Sequence, residues 1–462
     1  MATRRKFIRK AAGTALVAGV SPSLLAGNAK KIIELKSSLP DTRYGINDQV
    51  NVAIIGMGIM GFNNAETTRQ VSGVKIVGVS DLYTGRLDRS REVLGSDLFV
   101  TKNYKELLDR SDVDAVIIAT GDHWHDRIAI EAMQKGKHVY IEKPMVHQLE
   151  EGAAVIAAEK STGKVCEVGS QRVSSIVTAK TKELYESGVI GQLVLVDTWM
   201  DRHSSNGAWQ YSIPTDASEK TVDWNAFLGD APKIPYDPVR FFRWRNYRDY
   251  GTGIAGDLFV HLFSALHAVT SSHGPERIYA SGGLRYWKDG RDVPDICLGI
   301  YDYPETKQHP AFNLQMRVNF VDGGELDSGL RLIGTDGMIE LGWDSVKVVR
   351  HKISNHPSYG GWDSFDTFSS AQQKEYEKWF HATYPNPQPE MIESDIEYRA
   401  PDDYSANLDH HLNFYAGIRE GKPVVEDALF GMRAAGPALA SNVSLFEKRI
   451  VNWDPIRSTV KG

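Results

Sequence analysis

From Val50 to Val168, short apolar runs alternate with helix-compatible stretches. Val50–Ile55 (VNVAII), Val74–Ser80 (VKIVGVS), Ala115–Ala119 (AVIIA), His138–Ile141 and Lys164–Val168 are short, apolar runs, several of them β-branched, bounded by turn or helix signals, and read as buried strands. The helix from about His125 to Lys135 stops at Gly136, and Asp122 is placed to cap it. Strands joined by helices of about ten residues imply right-handed crossovers and a parallel sheet. From Leu193 to Arg350 strand-like runs dominate instead. Phe312–Phe320 sets Phe, Leu, Met, Val and Phe against Asn, Gln, Arg and Asn, the pattern of an antiparallel strand with one buried face. Gly334-Thr-Asp-Gly337 reads as a hairpin turn. Residues 354–403 are polar, aromatic and Pro-rich, and read as a long insertion over the sheet or site. Asp409–Glu420 and Asp427–Phe446 look helical, the latter packing back near the first half.

The first thirty residues follow a different pattern. TRRKFIRK (Thr3–Lys10) precedes an apolar stretch from Ala11 to Ala26 and small residues up to Ala29. A positive start, an apolar middle and a cleavage-compatible end make an export signal, and Arg4-Arg5 followed by Phe7-Ile8 resembles the twin-arginine type. The expectation is a signal over residues 1–29, a periplasmic location reached in the folded state, and a polar linker over residues 30–49. Elsewhere no apolar run reaches the roughly 18–20 residues of a membrane span, so no stable membrane insertion is expected. The 42% hydrophobic and 24% charged content of the 462 residues is that of an ordinary globular chain, and the net charge of −6 argues against nucleic acid as a partner. The two cysteines, Cys166 and Cys297, form no Cys-x-x-Cys pair and read as small apolar strand residues.

The first strand runs straight into Gly56-x-Gly58-x-x-Gly61 (GMGIMG), which opens a helix, and Asp81 ends the second apolar run 20 residues past Gly61. In that context the glycines have distinct physical tasks. Gly56 permits the tight turn, Gly58 lets the backbone of the Ile59-Met60 segment approach a pyrophosphate, and Gly61 lets helix and strand pack closely. Asp81 accepts hydrogen bonds from ribose hydroxyls and repels a 2′-phosphate, so NAD is favoured over NADP, with the nearby Arg86 as the one opposing charge. The fold class expected is α/β: an N-terminal Rossmann domain with a parallel, doubly wound sheet over residues 50–173, and a C-terminal α/β domain over residues 174–462 with a large open, mainly antiparallel sheet. Ligands of such parallel sheets bind at the C-terminal strand ends, where Thr120–His125 and Glu142–Pro144 fall.

GMGIMG, Asp81, the loop ATGDHWH from Ala119, Glu142-Lys143-Pro144, GIAGDLFVHLF from Gly253 and GTDGMIELG from Gly334 together resemble the Gfo/Idh/MocA oxidoreductase family over nearly the whole chain after the signal. The resemblance implies hydride chemistry on hydroxyls of sugars, inositols or related polyols, and dimers or tetramers paired through the open sheet. It places the loop carrying Thr120, His123, Trp124 and His125 near the nicotinamide, with Trp124 as a cofactor wall, and it puts Lys143 on the reacting hydroxyl. The chain departs from the family at Ser264 and Ala265, where an aspartate is common, and at Gly121, where proline is common.

Oxidising an alcohol requires a base for the hydroxyl proton and a donor to the developing oxyanion. Lys143, a cation at a strand end, is the candidate donor. Asp257 and His261 stand i, i+4 in a helical stretch, on one face and ~5–6 Å apart at Cβ, so His261 is the candidate base and Asp257 its orienting partner and a substrate contact. His267 reads as structural. His123-x-His125 beside Asp122 lacks a third converging ligand, so no metal is assigned. Gln171 and Arg172 follow a strand end and are candidate contacts, Gln171 and Glu142 to the cofactor and Arg172 to the substrate. Arg243 heads an aromatic-basic cluster with Trp244, Arg245 and Tyr247, and is a candidate contact to sugar hydroxyls.

Three functions remain open on these residues: an NAD-dependent sugar or polyol dehydrogenase, an enzyme that keeps its NAD through a closed redox cycle to cleave a glycosidic bond or dismutate two sugars, and a non-catalytic NAD-bound sugar sensor. Retention of Lys143, Asp257 and His261 favours catalysis, and Lys143 favours simple redox chemistry.

Overall fold

The computed structural model describes residues 31–36, 48–322, 327–354, 356–385 and 391–461. The export-signal segment lies outside the described residues. In chain order a short strand β1 (Lys31–Glu34) comes first. The Rossmann half follows, with β2 (Val50–Ile55), α1 (Ile59–Thr68), β3 (Val74–Ser80), α2 (Thr84–Leu94), β4 (Phe99–Thr101), α3 (Tyr104–Leu108), β5 (Ala115–Ile118), α4 (His125–Gln134), β6 (His138–Glu142), α5 (Gly152–Thr162) and β7 (Cys166–Gly169). Its strands lie in the order β4-β3-β2-β5-β6-β7, all parallel. β5, β6 and β7 are buried almost throughout because helices cover both faces, which is why they read as unbroken apolar runs. The strand order reverses between β2 and β5, and the crevice outside their C-terminal ends is the binding position of such a sheet.

The second half contains α6 (Ile176–Glu186), β8 (Leu193–Asp201), α7 (Trp224–Leu228), α8 (Pro238–Phe242), α9 (Val260–Thr270), β9 (Arg277–Gly283), β10 (Ile296–Tyr303), β11 (Phe312–Asn319), β12 (Asp327–Gly334), β13 (Gly337–Leu341), β14 (Ser345–Lys352), α10 (Ser370–Thr383), β15 (Met391–Arg399), α11 (Ala406–Glu420), α12 (Ala428–Glu447), β16 (Val451–Asp454) and β17 (Thr459–Val460). The sheet runs β1-β15-β14-β13-β12-β8-β11-β10-β9-β16-β17 and is antiparallel except at the β8–β11 and β1–β15 pairs. β11 alternates buried and open positions as its sequence requires, and Gly334 and Gly337 close the β12–β13 hairpin. α6, α9 and α12 cover one face. Among the described residues the other face leaves Leu195, Tyr279, Leu298 and Ile300 exposed. Among the described residues no helix is long and apolar enough to cross a membrane.

Two expectations change. Lys31–Glu34, assigned to a linker, is an edge strand paired to β15, and Met391–Arg399, assigned to an insertion, is its neighbour. Both take their backbone partners from distant residues, so a local pattern does not reveal them. The helix most deeply packed into the Rossmann half is α11: Phe414 and Tyr415 join Val52, Ile54, Ile117 and Tyr140 in one core. α12 packs back against α5 and β7 of the Rossmann half, as its sequence position suggests, and reaches α9 and β9 as well.

Candidate active site

The glycine loop is built as its spacing demands. Gly56 has φ +93°, and a Cβ there would stand 2.5 Å from the Ala119 carbonyl oxygen. A Cβ on Gly61 would stand 2.0 Å from the Gly56 carbonyl oxygen, so only glycine lets α1 start this close to β2. At Gly58 a Cβ would meet nothing within 4 Å, and the α1 N-terminus opens there with no acidic residue in its first turn. That open backbone at a helix N-terminus suits a pyrophosphate. Asp81 accepts from the Met57 and Tyr83 backbone N–H groups (2.7 and 2.8 Å), which fixes it at the mouth of the loop. Arg86 lies 3.4 Å from the same carboxylate and stacks over Phe242, so its charge is engaged rather than free for a 2′-phosphate.

A cavity of about 1020 Å³ opens from this loop; Gly56, Gly58, Ile59, Met60, Asp81, Arg86, Thr120 and Trp124 line its Rossmann side. The opposite wall is Tyr211, Phe227, Phe241, Phe242, Trp244 and Arg245 from the second half. That wall is tied down at several points: the Thr84 N–H donates to the Thr221 carbonyl (2.9 Å), Lys102 Nζ to the same oxygen (3.1 Å), and Trp124 Nε1 to the Phe227 carbonyl (2.9 Å).

Several residues expected at the cofactor sit elsewhere. Gly61 lies beneath the loop, where it serves the helix–strand packing expected of it and does not line the cavity. The ring nitrogens of His123 face the Phe227 and Tyr250 carbonyls (2.8 and 3.2 Å), and burial lowers its pKa to about 4. His125 is buried with Nδ1 2.8 Å from the Pro144 carbonyl, so it braces the residue after Lys143. The turn Asp122–Trp124 sends neighbouring side chains in different directions, and among these three rings only that of Trp124 reaches the cavity. Asp122 does not cap α4; it accepts from the N–H and hydroxyl of Thr252 (3.0 and 2.9 Å) and pins the segment leading to Asp257. Glu142, whose pKa burial pushes up, accepts from Asn64 (2.9 Å) and Gln171 (3.2 Å) and ties α1 to the ends of β6 and β7. Arg243 donates to the Tyr211 carbonyl (2.7 Å) and to Gln210, holding the loop that presents Tyr211. Arg172 donates to the Leu341 and Gly342 carbonyls (3.1 and 2.8 Å) and stacks on Trp343. Tyr247 packs under Arg240 away from the cavity.

The two halves meet chemically at Lys143. Its Nζ donates to Oδ1 and to the backbone carbonyl of Asp257 (3.0 and 3.1 Å), while Arg245 Nε donates to the same Oδ1 (3.2 Å). Burial alone would raise the Asp257 pKa, but Lys143 and Arg245 hold it well below the usual carboxylate range. His261 is pushed well below an ordinary imidazole by burial and by the Lys143 charge, partly offset by Asp257, so it is neutral. The Asp257 hydrogen bonds go to Lys143 and Arg245, not to His261. Ala255–Phe259 is a π-helical turn, wider than an α turn, so i, i+4 no longer stacks the two side chains on one ridge. Arg202 and Tyr211, which carry no motif, escape sequence reasoning: each lies in a loop beyond β8, and Arg202 lies within the fields of Asp257, Tyr211 and Arg245.

Fold and cavity define a two-domain α/β protein with a Rossmann first half and a cavity lined by both halves. Residues 50–170 match the Gfo/Idh/MocA model, an oxidoreductase family with an NAD-binding Rossmann fold, and the first half is thus an NAD-binding Rossmann domain. The chain is 34% identical over 145 residues to scyllo-inositol 2-dehydrogenase (NAD(+)) of Bacillus subtilis, a match covering 31% of this chain and 42% of that one. It is 30% identical over 207 residues to a glycosyl hydrolase family 109 protein of Shewanella baltica, covering 41% of this chain and 44% of that one. The chain therefore spans less than half the length of these relatives. In fold it is similar to GenD2 from gentamicin A biosynthesis solved with NAD (TM-score 0.62, 17% identity, 90% of this chain and 99% of that one). Levoglucosan dehydrogenase in complex with NADH and levoglucosan is likewise similar (TM-score 0.60, 17% identity, 87% and 99%).

Proposed function

We propose that the protein is an NAD-dependent oxidoreductase that removes hydride from a hydroxyl-bearing carbon of a sugar, glycoside or polyol. The observation that carries the reading is the Lys143–Asp257–Arg245 cluster, built from both halves, with Arg245 also lining the cavity and His261 four residues beyond Asp257. The glycine loop, Asp81, Thr120 and Trp124 would hold NAD, which when bound supplies the hydride acceptor. The hydroxyl proton passes to the unprotonated ring of His261. Lys143 donates to the same oxygen as negative charge develops on it, a contribution of the oxyanion-stabilising kind. Asp257 acts on Lys143, keeping Nζ in place while Arg245 fixes the carboxylate from the other side.

A second reading is favoured by one feature. The aromatic wall pinned over the cavity at Thr221 and Phe227 suits a cofactor that stays bound, as a closed redox cycle at a sugar carbon requires. The full-length protein, purified and gel-filtered, separates the two when denatured for nucleotide analysis and incubated with sugars and glycosides under mass spectrometry. Free oxidised sugar in proportion to added NAD supports the dehydrogenase. Cleaved glycoside or paired oxidised and reduced sugars without added NAD support the closed cycle, and no conversion of any sugar overturns both.

Two further readings belong with this one: export to the periplasm by the twin-arginine signal, and a homo-oligomer paired through the open sheet. The latter is supported by Leu195, Tyr279, Leu298 and Ile300, large apolar residues exposed on the sheet strands.

A further inference from the structure

The wall that the second half lays over the cavity is a unit of its own. It is formed by residues 212–242, which include α7 and α8. The two ends of this segment meet: Arg243 Nε donates to the Tyr211 carbonyl (2.7 Å), so the chain leaves the second half and returns to it at one place. The segment has its own aromatic core, separate from the two cores beneath the sheets, in which Val222, Trp224, Phe227, Phe241 and Phe242 pack with Tyr250. Leu82 and Tyr83 are the members of that core from the Rossmann half. Around them the halves are joined by hydrogen bonds. The Thr84 N–H donates to the Thr221 carbonyl and the Asp223 N–H to the Leu82 carbonyl (both 2.9 Å), so Tyr83 and Val222 face each other in an isolated antiparallel bridge. The Tyr83 hydroxyl donates to Asp216 Oδ1 (2.5 Å), and Arg127 pairs with Asp230 farther along.

The bridge stands two residues past Asp81, and the Tyr83 N–H itself holds the Asp81 carboxylate (2.8 Å), so it closes over the adenosine side of the cavity. Tyr83, Asp223 and Phe227 line the cavity, whereas Asp216 and Asp230 are exposed and lie outside it. Each of these bonds joins protein to protein, and water replaces each one that breaks. Because the aromatic core stays within the segment, lifting it is a local opening and not an unfolding. We propose that residues 212–242 are a clamp on the dinucleotide, which lifts as a unit from Leu82–Thr84 each time NAD enters or leaves, with the Tyr83–Asp216 bond as its catch. This rests on the assignment of the cavity to NAD and holds whichever sugar reacts. A clamp of this kind limits exchange, the property that a closed redox cycle needs.

The test is NADH exchange by the full-length protein, with nucleotide fluorescence followed in stopped flow and exit read by a chase of excess NAD. Tyr83→Cys combined with Val222→Cys puts two thiols on a non-hydrogen-bonded antiparallel pair, a spacing that a disulfide spans. The native Cys166 and Cys297 are buried and stay out of that reaction. With the cross-link closed, NADH entry and exit should both slow by about tenfold or more, and reduction of the same sample should restore them. The opposite perturbation, Asp216→Ala combined with Asp230→Ala, should speed both by about tenfold and leave Kd within ~3-fold. A site that is merely weakened raises the exit rate alone. Equal exchange by the oxidised and reduced cross-link variant, or a parent-like entry rate in the folded Asp216→Ala/Asp230→Ala variant, overturns the clamp and leaves the cofactor assignment standing. A parent protein that binds no NADH removes that assignment, and the clamp with it.

Discussion

The glycine loop offers a pair of substitutions with opposite signatures. Gly58 has φ −79° and ψ −160°, a conformation alanine adopts without strain, and its Cβ would meet nothing within 4 Å. Gly58→Ala should therefore fold normally and gain ~0.4–1 kcal/mol from a less flexible unfolded chain. The new methyl stands on the backbone that faces the cavity, where the pyrophosphate must approach, so NAD affinity should fall by the cost of overpacking, ~1–3 kcal/mol, or roughly 5–150-fold. Gly61→Ala places a Cβ 2.0 Å from the Gly56 carbonyl oxygen. Ordinary C···O contacts are about 3.3 Å, so α1 must retreat by roughly 1.3 Å from a strand end it packs against. That variant should lose ~1–3 kcal/mol of stability, a few degrees in melting temperature, together with NAD. Differential scanning fluorimetry and NAD calorimetry on both variants decide the matter. Parent-like NAD binding by Gly58→Ala, or equal melting losses in the two, would refute the assignment of phosphate cradle to one glycine and helix packing to the other.

Asp257→Asn leaves Lys143 and Arg245 facing a neutral amide, and breaking such a buried pair should cost ~3–5 kcal/mol in chemical denaturation; a parent-like midpoint would show the two cations are satisfied elsewhere. His261→Ala and Lys143→Ala should each slow single-turnover hydride transfer by ~10²–10⁴-fold with NAD affinity nearly intact, and a parent rate in folded His261→Ala would remove it as the base. Glu167 is fully buried, with the buried His410 Nδ1 3.4 Å from one carboxylate oxygen but no hydrogen bond to either, and burial and Glu426 push its pKa well up, so the native state keeps a proton that the unfolded chain releases above pH ~4.5. Its contribution is complete below that pH and lost as pH rises, so the stability of Glu167→Gln relative to the parent should grow by ~1.4 kcal/mol per pH unit above 4.5 until the native pKa is passed; a pH-independent difference in denaturation midpoints would contradict this. Replacing Arg4 and Arg5 by Lys should hold the protein in the cytoplasm on fractionation, and undiminished export would defeat the twin-arginine reading.

The Rossmann half was legible because its signals are local and redundant. GMGIMG follows an apolar run and opens a helix, Asp81 ends the next run, and the buried parallel strands repeat. The alternation of Phe312–Phe320 exposed one strand of the second sheet for the same reason. What stayed hidden depends on partners far along the chain. β1 is a strand because it pairs with β15 some 360 residues away, and β15 because it lies between β1 and β14. The i, i+4 spacing of Asp257 and His261 assumed an α turn, and the π turn at Ala255–Phe259 redirected the carboxylate to Lys143 and Arg245. His123, His125 and Glu142 lie in the right loops, yet burial turns them to bracing carbonyls and amides instead of the cavity. Tyr211 sits in a loop without a pattern, and only the end of the large sheet brings it to the cavity.

The central claim is that hydride leaves a sugar carbon for NAD held in this cleft. Full-length protein loaded with NAD is mixed with perdeuterated sugars, neutral and acidic, quenched within one turnover, and its nucleotide is examined by mass spectrometry. The account predicts one deuterium on the nicotinamide in the parent, whether or not the cofactor is later released, and its near-absence in Lys143→Ala and His261→Ala. A sugar that binds the loaded protein and is converted to product, with no deuterium reaching the nucleotide, would contradict it.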